Sequence, residues 1–187
     1  MTGRDPDLSP ERVRALYEAR ALAEIAAADA LAPGSDVIAW SGELLADVAL
    51  VKGFAGPAEA AGGRALSGND GEAAAKALEA LGWPPSCWFA TLSRPEPTIP
   101  PEARAQRLRL QVEAVDPAVV IALDAKAAED VAAAFALDEG LGFGQARRAA
   151  GRTLVAVDGL EESLGDPNRK RRVWSQLKAA APPGPVY

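Results

Sequence analysis

Histidine is absent from all 187 residues of this chain, and cysteine occurs once, at Cys87. Without histidine, neither a Cys–His nor a Ser–His nucleophilic pair can form. A single cysteine excludes a disulfide framework, a cysteine-rich zinc site and an all-cysteine iron–sulfur cluster within one chain. Cys87 stands beside Trp88 and Phe89, which favours a small buried apolar side chain over a nucleophile. The sequence therefore predicts no metal site and no cofactor.

Long apolar runs are also missing, since no stretch approaches the ~20 residues that a membrane-spanning helix needs. Residues 1–7 are polar and lack the apolar segment of a secretory signal, so we expect a cytoplasmic protein with no membrane partner. The 20 Lys and Arg are outnumbered by 26 Asp and Glu, giving a net charge of −6. Because duplex affinity depends on basic side chains that displace counterions, we expect weak or no DNA binding. The partner is left open between another protein and a small ligand.

Helical periodicity is present and is interrupted by proline and glycine. The segment 9–11, Ser-Pro-Glu, combines a capping hydroxyl with a proline in the first turn, and apolar residues recur at helical spacing up to about residue 31. Pro33-Gly34 is expected to end this helix. Further helices are expected over residues 72–81, 101–115, 125–137 and from Pro167 onward.

Four apolar runs predict β-strands, at residues 36–41, 87–92, 118–123 and 153–157. Between the first two lies a segment rich in Gly and Ala, in which residues 44–51 are compatible with a helix. Because strands alternate with helices, the sequence predicts an α/β fold with three layers, α/β/α, around a mostly parallel four-stranded sheet. One domain is expected over residues 1–187, with irregular tails at 1–8 and 179–187.

Four segments resemble, in order, the motifs of one enzyme superfamily. Residues 36–43, DVIAWSGE, resemble its first strand and the start of a water-activating loop, and residues 63–71, GRALSGNDG, resemble its Gly-Arg-Pro-Phe-Val-Gly-x-Ala-Gly motif. Residues 111–123 resemble a helix–strand unit, and residues 166–178, DPNRKRRVWSQLK, resemble the terminal helix. The chain thus resembles the uracil-DNA glycosylase superfamily, especially its smaller iron–sulfur type. The resemblance implies the same α/β/α fold and an ancestral role in DNA repair.

The resemblance also implies functional positions, and this chain carries different groups there. Leu66 stands where an aromatic ring stacks on the flipped uracil, a contact worth about 1–3 kcal/mol. Thr91 replaces the Asn that recognises the edge of the base, and Gly159 replaces the His that stabilises the charge on uracil. Loss of one such donor typically lowers the rate by ~10²–10³. Glu161 and Glu162 stand where apolar side chains wedge into the duplex.

These replacements, together with the missing cluster cysteines, lead to the main hypothesis. The protein is expected to be a glycosylase-like protein that has lost uracil excision and acts by binding or scaffolding. It is not expected to be an active uracil-DNA glycosylase. The positions equivalent to the family's pocket are Ser41, Gly42, Leu66, Thr91, Asp124, Asp158 and Gly159.

Two alternative hypotheses use the carboxylates. Glu43 and Asp47 follow the expected first strand, where they either activate water for the excision of another damaged base or are simply solvated. Glu43, Thr91, Asp124 and Asp158 are also expected to line one crevice at the carboxyl ends of the strands, where ligands bind in such sheets. An acidic crevice suits a cation or a hydroxyl-rich small molecule.

The densest basic run is Arg169-Lys170-Arg171-Arg172. Arg169, Lys170 and Arg171 are the candidates for contact with nucleic acid, because the run begins near the start of a helix, where a phosphate can be neutralised. The alternative is a solvated helix face, since four consecutive charges on a helix point in several directions.

Overall fold

A six-stranded mixed sheet forms the centre of the computed structural model, which describes residues 9–32, 38–95 and 98–182. The strands are β1 (Ser41–Gly42), β2 (Val48–Lys52), β3 (Trp88–Leu92), β4 (Val119–Ala122), β5 (Arg147–Ala149) and β6 (Arg152–Ala156). Their order across the sheet is β1-β3-β2-β4-β6-β5. The four central strands are parallel, and the edge strands β1 and β5 pair antiparallel with β3 and β6. The protein is therefore a mixed α/β structure.

Helices connect the parallel strands, and several begin with a side-chain cap. Ser9 accepts a hydrogen bond from the backbone N–H of Arg12, and the Asp166 carboxylate accepts from Asn168 and Arg169. None of the helices in the described residues combines the length and apolar character that crossing a bilayer requires. The helices are α1 (Pro10–Asp29), α2 (Pro57–Ala60), α3 (Asn69–Ala80), α4 (Pro101–Val115), α5 (Ala125–Ala134), α6 (Leu160–Ser163) and α7 (Pro167–Leu177).

Apolar cores lie on both faces of the sheet. On one face, Leu78 of α3 and Leu177 of α7 belong to a buried cluster that contains Leu50 of β2. On the other face, Leu108 of α4 and Val131 of α5 belong to a second buried cluster, which α1 also joins. The central strands are thus covered on both sides, which explains why their sequences are continuous apolar runs rather than alternating ones.

The central strand β2 was not predicted. Residues 44–51 were expected to be compatible with a helix, but Val48–Lys52 form the strand with which both β3 and β4 pair. All five of its residues are buried. A short continuous apolar run does not distinguish a buried strand from a buried helix. Here the strand is determined by pairing with β3 and β4, which are distant in sequence, so the prediction of a helix was wrong.

The prediction of a strand at residues 36–41 was also wrong for most of the residues that the structure describes there. Residues 38–40 are not in a strand, and Ser41 belongs to the two-residue edge strand β1. Residues 36 and 37, and the expected helix end at Pro33-Gly34, lie outside the described residues. The sheet has six strands instead of four, because β1 and the unpredicted β5 extend its two edges.

The remaining elements agree with the sequence-based predictions. The strands expected at 87–92, 118–123 and 153–157 are confirmed as β3, β4 and β6, and the five predicted helices are confirmed with ends shifted by up to three residues. Lys178–Ala180 form a 3-10 turn, and the buried Ala180 carbonyl accepts a hydrogen bond from the Trp83 indole at 2.8 Å. The irregular segment expected from residue 179 therefore begins later; residues 1–8 lie outside the described residues.

We predict that Leu50→Ala lowers the free energy of unfolding by about 2–5 kcal/mol, because it opens a cavity in the central strand. Leu50 is 1% exposed. Urea denaturation followed by circular dichroism measures the change. Leu16→Ala is the matched control, since Leu16 is 59% exposed on α1 and should change stability by less than about 0.5 kcal/mol. Equal effects of the two substitutions would contradict the placement of β2.

Candidate functional site

The carboxyl ends of the four parallel strands meet at one edge of the sheet, where ligands bind in open α/β sheets. Strand β2 ends at Lys52, β4 is followed by Leu123 and Asp124, and β6 is followed by a turn that contains Asp158 and Gly159. Charged side chains therefore meet at this edge, and their partners determine whether a ligand can enter.

Lys52 is the centre of a buried ion cluster at this edge. Its Nζ lies 2.6 Å from Asp70 Oδ2 in the first turn of α3, 2.9 Å from Glu161 Oε2 in α6 and 3.3 Å from Glu59 Oε1 in α2. Lys52, Glu59 and Asp70 are 5%, 2% and 3% exposed. We refer to these four residues as the lysine cluster. Because an unpaired buried charge is strongly destabilising, each member of the cluster depends on the others.

Backbone N–H groups balance the excess of carboxylates in the lysine cluster. Glu59 accepts hydrogen bonds from the N–H groups of Gly56 and Leu66, both at 3.0 Å. Asp70 accepts one from Gly71, also at 3.0 Å. The cluster thus ties the loop after β2 to the first turn of α3, and the carboxylates that face this edge are used within the fold.

The pKa of Lys52 is raised above its ordinary value. Burial by itself would lower the pKa, but the hydrogen bonds and negative charges of Asp70, Glu161 and Glu59 outweigh the loss of solvation. The ammonium group is therefore charged throughout the physiological range. A permanently protonated lysine can neither act as a general base nor attack a carbon atom as a nucleophile.

The space beside the lysine cluster is a cavity of about 20 Å³, lined in part by Lys52, Asp70, Leu123 and Asp124. A cavity of ~10–15 Å³ or more can hold a water molecule, whereas pockets for small organic ligands typically span ~300–1,000 Å³. This cavity therefore has room for a water molecule but not for a nucleobase.

Asp124 supports the fold at the same edge. Its carboxylate accepts hydrogen bonds from the Ala127 N–H at 2.8 Å, as the cap of α5, and from the Gly53 N–H at 2.7 Å. A Cβ atom added at Gly53 would lie 2.7 Å from Asp124 Oδ1 and 2.8 Å from Lys126 Cβ, so the backbone comes closer here than a larger residue allows. Asp124 therefore joins β2 to α5 through hydrogen bonds that also satisfy its carboxylate.

Asp158 pairs with two of the basic residues of α7. Its carboxylate lies 2.9 Å from Arg172 Nη1 and 3.5 Å from Arg169 Nη2, and the Asp158 carbonyl accepts a hydrogen bond from Arg169 Nε. Gly159 has a φ of 77°, and an added Cβ would lie 2.4 Å from Glu162 Oε2. A side chain at this position would be strained and would displace its neighbours.

None of Leu66, Thr91 and Gly159 is among the residues that line the cavity beside Lys52. Leu66 is 4% exposed and packs in the core on the α3 and α7 face. Thr91 points to the other face, where its hydroxyl donates to Gln111 Oε1 at 2.8 Å, and Gln111 in turn donates to Asp29. The expectation of a shared pocket is therefore wrong for Leu66 and Thr91, because the pleat of β3 turns Thr91 away and the left-handed backbone of Leu66 turns its side chain inward.

Glu43 and Asp47 lie at the opposite edge of the sheet. The Glu43 N–H donates to the carbonyl of Trp88 at the start of β3, and Asp47 immediately precedes β2. Both residues are exposed. The expectation that Glu43 joins Asp124 and Asp158 in one crevice is wrong, because the true first parallel strand starts after Glu43 and carries the chain away from it.

Ser41 and Gly42 form the edge strand β1 and do not face the cavity beside Lys52. The Ser41 hydroxyl donates to the carbonyl of Ala65, and Gly42 has a φ of 88° where an added Cβ would clash with the Trp88 carbonyl. Both positions therefore maintain the close packing of β1 on β3.

Comparison with models of known protein families and with curated proteins finds no match for this chain. Among the described residues, no group of three or more Cys, Asp or Glu side chains is arranged to hold a metal ion. The functional argument therefore depends on the geometry of the sheet edge and on the charged surfaces around it.

Sequence analysis missed the role of Lys52 and Glu59. Lys52 was part of a segment that had no assigned strand, and Glu59 lies in a loop rich in Gly and Ala. The available signal was the apolar run Val48–Val51 that ends in a lysine, which places a charged residue at the end of a buried strand. The partners of Lys52 could not be found this way, because they lie 7, 18 and 109 residues further along the chain.

We predict that Lys52→Met lowers the free energy of unfolding by about 3–5 kcal/mol, because Glu59 and Asp70 then remain buried without a cation. Chemical denaturation measures the loss. Lys52→Met combined with Asp70→Asn should recover part of it, since one of the uncompensated charges is removed. Lys126→Met is the matched control: its partner Glu129 is exposed, so the change should be below about 1 kcal/mol. A small effect of Lys52→Met would contradict the lysine cluster.

The raised pKa of Lys52 also predicts how stability depends on pH. A lysine whose pKa is higher in the folded state stabilises the fold fully below the unfolded pKa, about 10.4, and this contribution is lost as the pH rises through the folded pKa. The difference in unfolding free energy between the wild type and Lys52→Met should be constant from pH 7 to about pH 10 and decrease above that. A difference that increases with pH, or that stays constant well above pH 10, would show that the pKa is not raised.

Proposed function

We propose that this protein is a uracil-DNA glycosylase-like domain, with helices in layers on either side of the sheet, that does not excise uracil and acts as a binding or scaffolding protein. The observation that carries the proposal is the buried lysine cluster. It occupies the carboxyl edge of the sheet, where the family resemblance places the flipped base, and leaves a cavity of about 20 Å³ beside Lys52. The neighbouring groove of about 260 Å³ is lined in part by the carboxylates Glu59, Asp70 and Glu161.

The arrangement of the central strands supports the glycosylase-like part of the proposal. The resemblance implies four parallel strands with helices on both faces, and β3, β2, β4 and β6 have this arrangement. The first strand of the motif corresponds better to β2 than to residues 36–43, because β2 is the parallel strand that precedes the 63–71 motif. The loop equivalent to the water-activating loop is then the segment 53–62, between β2 and that motif.

The chemistry at this edge argues against excision. Within the lysine cluster, Glu59 and Asp70 each accept hydrogen bonds from Lys52 and from backbone N–H groups. A general base must reach a water molecule beside the substrate, and these two buried carboxylates are held against Lys52 and the backbone instead.

The positions of Glu43 and Asp47 argue against a divergent glycosylase that uses either carboxylate to activate water. Both carboxylates are exposed at the amino ends of the parallel strands, so neither is near the edge where a flipped base would enter. The hypothesis that Arg169 binds DNA also loses support, because Arg169 contacts both the carboxylate and the carbonyl of Asp158. A scaffold with a closed pocket is the function that these contacts support best.

We predict that the protein releases no uracil from single-stranded or double-stranded uracil-containing oligonucleotides above the protein-free background. A panel of deaminated and alkylated bases should give the same result, since the cavity beside Lys52 excludes every base. The assay is run with the protein in excess over DNA, and the abasic product is measured by alkaline cleavage and gel electrophoresis.

An active uracil-DNA glycosylase on the same oligonucleotides controls for the substrate. Glu43→Gln and Asp47→Asn are tested alongside the wild type. Excision that disappears in either variant would overturn the proposal in favour of a divergent enzyme, and excision that both variants retain would overturn the claim that the pocket is closed.

A further inference from the structure

An open apolar groove lies between α3, α6 and α7, on the outer side of α6 from the cavity beside Lys52. Its volume is about 330 Å³. Leu164, at the end of α6, is 37% exposed beside it, and Trp174 of α7 is only partly buried. Apolar residues that contribute to its lining are Ala77, Leu160, Leu164, Val173, Trp174 and Leu177. Contiguous apolar surface of this kind on a charged protein is typical of a site for a macromolecular partner.

The two charged side chains that line this groove are both basic, whereas Glu161 and Glu162 of α6 line the cavity beside Lys52. Helix α7, Pro167–Leu177, contains four basic residues and no acidic one. Arg169 and Arg172 are paired with Asp158, which lies away from the groove. Lys170 and Arg171 line the groove. Among the residues that the structure describes, these two form no ion pair, and Arg171 donates only to the Asn168 amide oxygen.

The ion pairs of Arg169 and Arg172 with Asp158 therefore divide the four basic residues of α7 into two groups. Asp158 pairs with the two arginines on its side, and the two cations beside the apolar groove are left for a partner. Unpaired cations at one site contrast with the net charge of −6, which reflects 26 Asp and Glu against 20 Lys and Arg in the whole chain. An apolar surface with two free cations at its rim is complementary to a partner that combines apolar anchors with acidic side chains.

We propose that the groove between α3, α6 and α7 binds an acidic amphipathic helix of a partner protein, with its apolar side chains against Leu164 and Trp174 and its carboxylates beside Lys170 and Arg171. The proposal rests on the binding or scaffolding role proposed above and names the chemistry of the partner. A helix fits better than an extended segment, because helices form the walls of the groove. No sheet edge is available there to satisfy the backbone of a bound strand.

Nucleic acid is the less favoured occupant of this surface. Non-specific binding to a duplex depends on several basic side chains that neutralise phosphates, and only two free cations lie here. The surface between them is apolar, so it offers nothing to a phosphate backbone.

The test uses a displayed library of helical peptides of about 16 residues. Large and small apolar residues are varied at positions i, i+4 and i+7, and Glu, Gln, Lys and Ala are varied at the flanking positions. Selection is carried out on the full chain. We expect enrichment of peptides that carry large apolar residues at two or more anchor positions together with Glu at the flanking positions.

The most enriched peptide is then measured by fluorescence anisotropy against matched variants. Lys170→Glu with Arg171→Glu should weaken binding by about tenfold or more, since two favourable charge contacts become repulsive. Arg12→Glu with Arg148→Glu is the control for net charge, because both arginines are exposed elsewhere, and it should change the affinity by less than about twofold. Ala73→Glu, a helix-compatible change that fills and charges the groove, should abolish binding, whereas Leu16→Asp should not. Circular dichroism verifies that each variant is folded.

Every other result counts against the proposal. Absence of enrichment, or enrichment of basic or purely apolar peptides, overturns it. Binding of a single-stranded oligonucleotide that Lys170→Glu with Arg171→Glu abolishes and Ala73→Glu retains would assign the surface to nucleic acid. Concentration-dependent dimerisation, measured by light scattering and abolished by Ala73→Glu, would assign it to a second copy of the chain. These outcomes are independent of the glycosylase assay, so this proposal can fail while the loss of excision stands.

Discussion

The structure of the candidate site depends on the pairing of one buried ammonium group. Lys52 ends the central strand in the interior of the protein, and a buried charge without partners is strongly unfavourable. Glu59 and Asp70 supply the partners from the loop after β2 and from α3, and both are themselves hydrogen-bonded to backbone N–H groups. Opening this edge to a ligand would break several of these contacts at once. The edge that usually binds ligands in such a sheet is therefore part of the structural framework here.

The proposed binding function therefore requires a surface other than this sheet edge. If the sheet edge is closed, partners must be recognised on the outer surfaces of the helices. The pairing of Asp158 with Arg169 and Arg172 leaves Lys170 and Arg171 free beside the apolar groove. The mixed α/β domain thus has a surface suited to binding a protein, in agreement with the proposed scaffolding role.

The elements that sequence analysis predicted share one property. Strands β3, β4 and β6, and the helices that begin at Pro10, Pro101 and Pro167, have boundaries marked by local signals such as proline, capping residues and apolar periodicity. Strand β2 has no such boundary, because the residues before it, 43–47 (ELLAD), are also compatible with a helix and a Gly- and Ala-rich segment follows it. The error displaced the expected first strand to residues 36–41 and placed Glu43 and Asp47 at the wrong edge of the sheet. One misplaced strand therefore accounts for most of the misplaced candidate residues.

The sequence by itself determined which chemistry is excluded: without histidine and with one cysteine, no His-dependent nucleophile and no cysteine-based metal site can form within the chain. It also determined the helices with local start signals, because capping and periodicity act over a few residues. Only the tertiary structure decided that β2 is the central strand, that Thr91 faces away from the sheet edge and that Lys52 meets Glu59, Asp70 and Glu161. These features depend on contacts between distant segments, and burial forces such charges to pair only once the chain has brought them together.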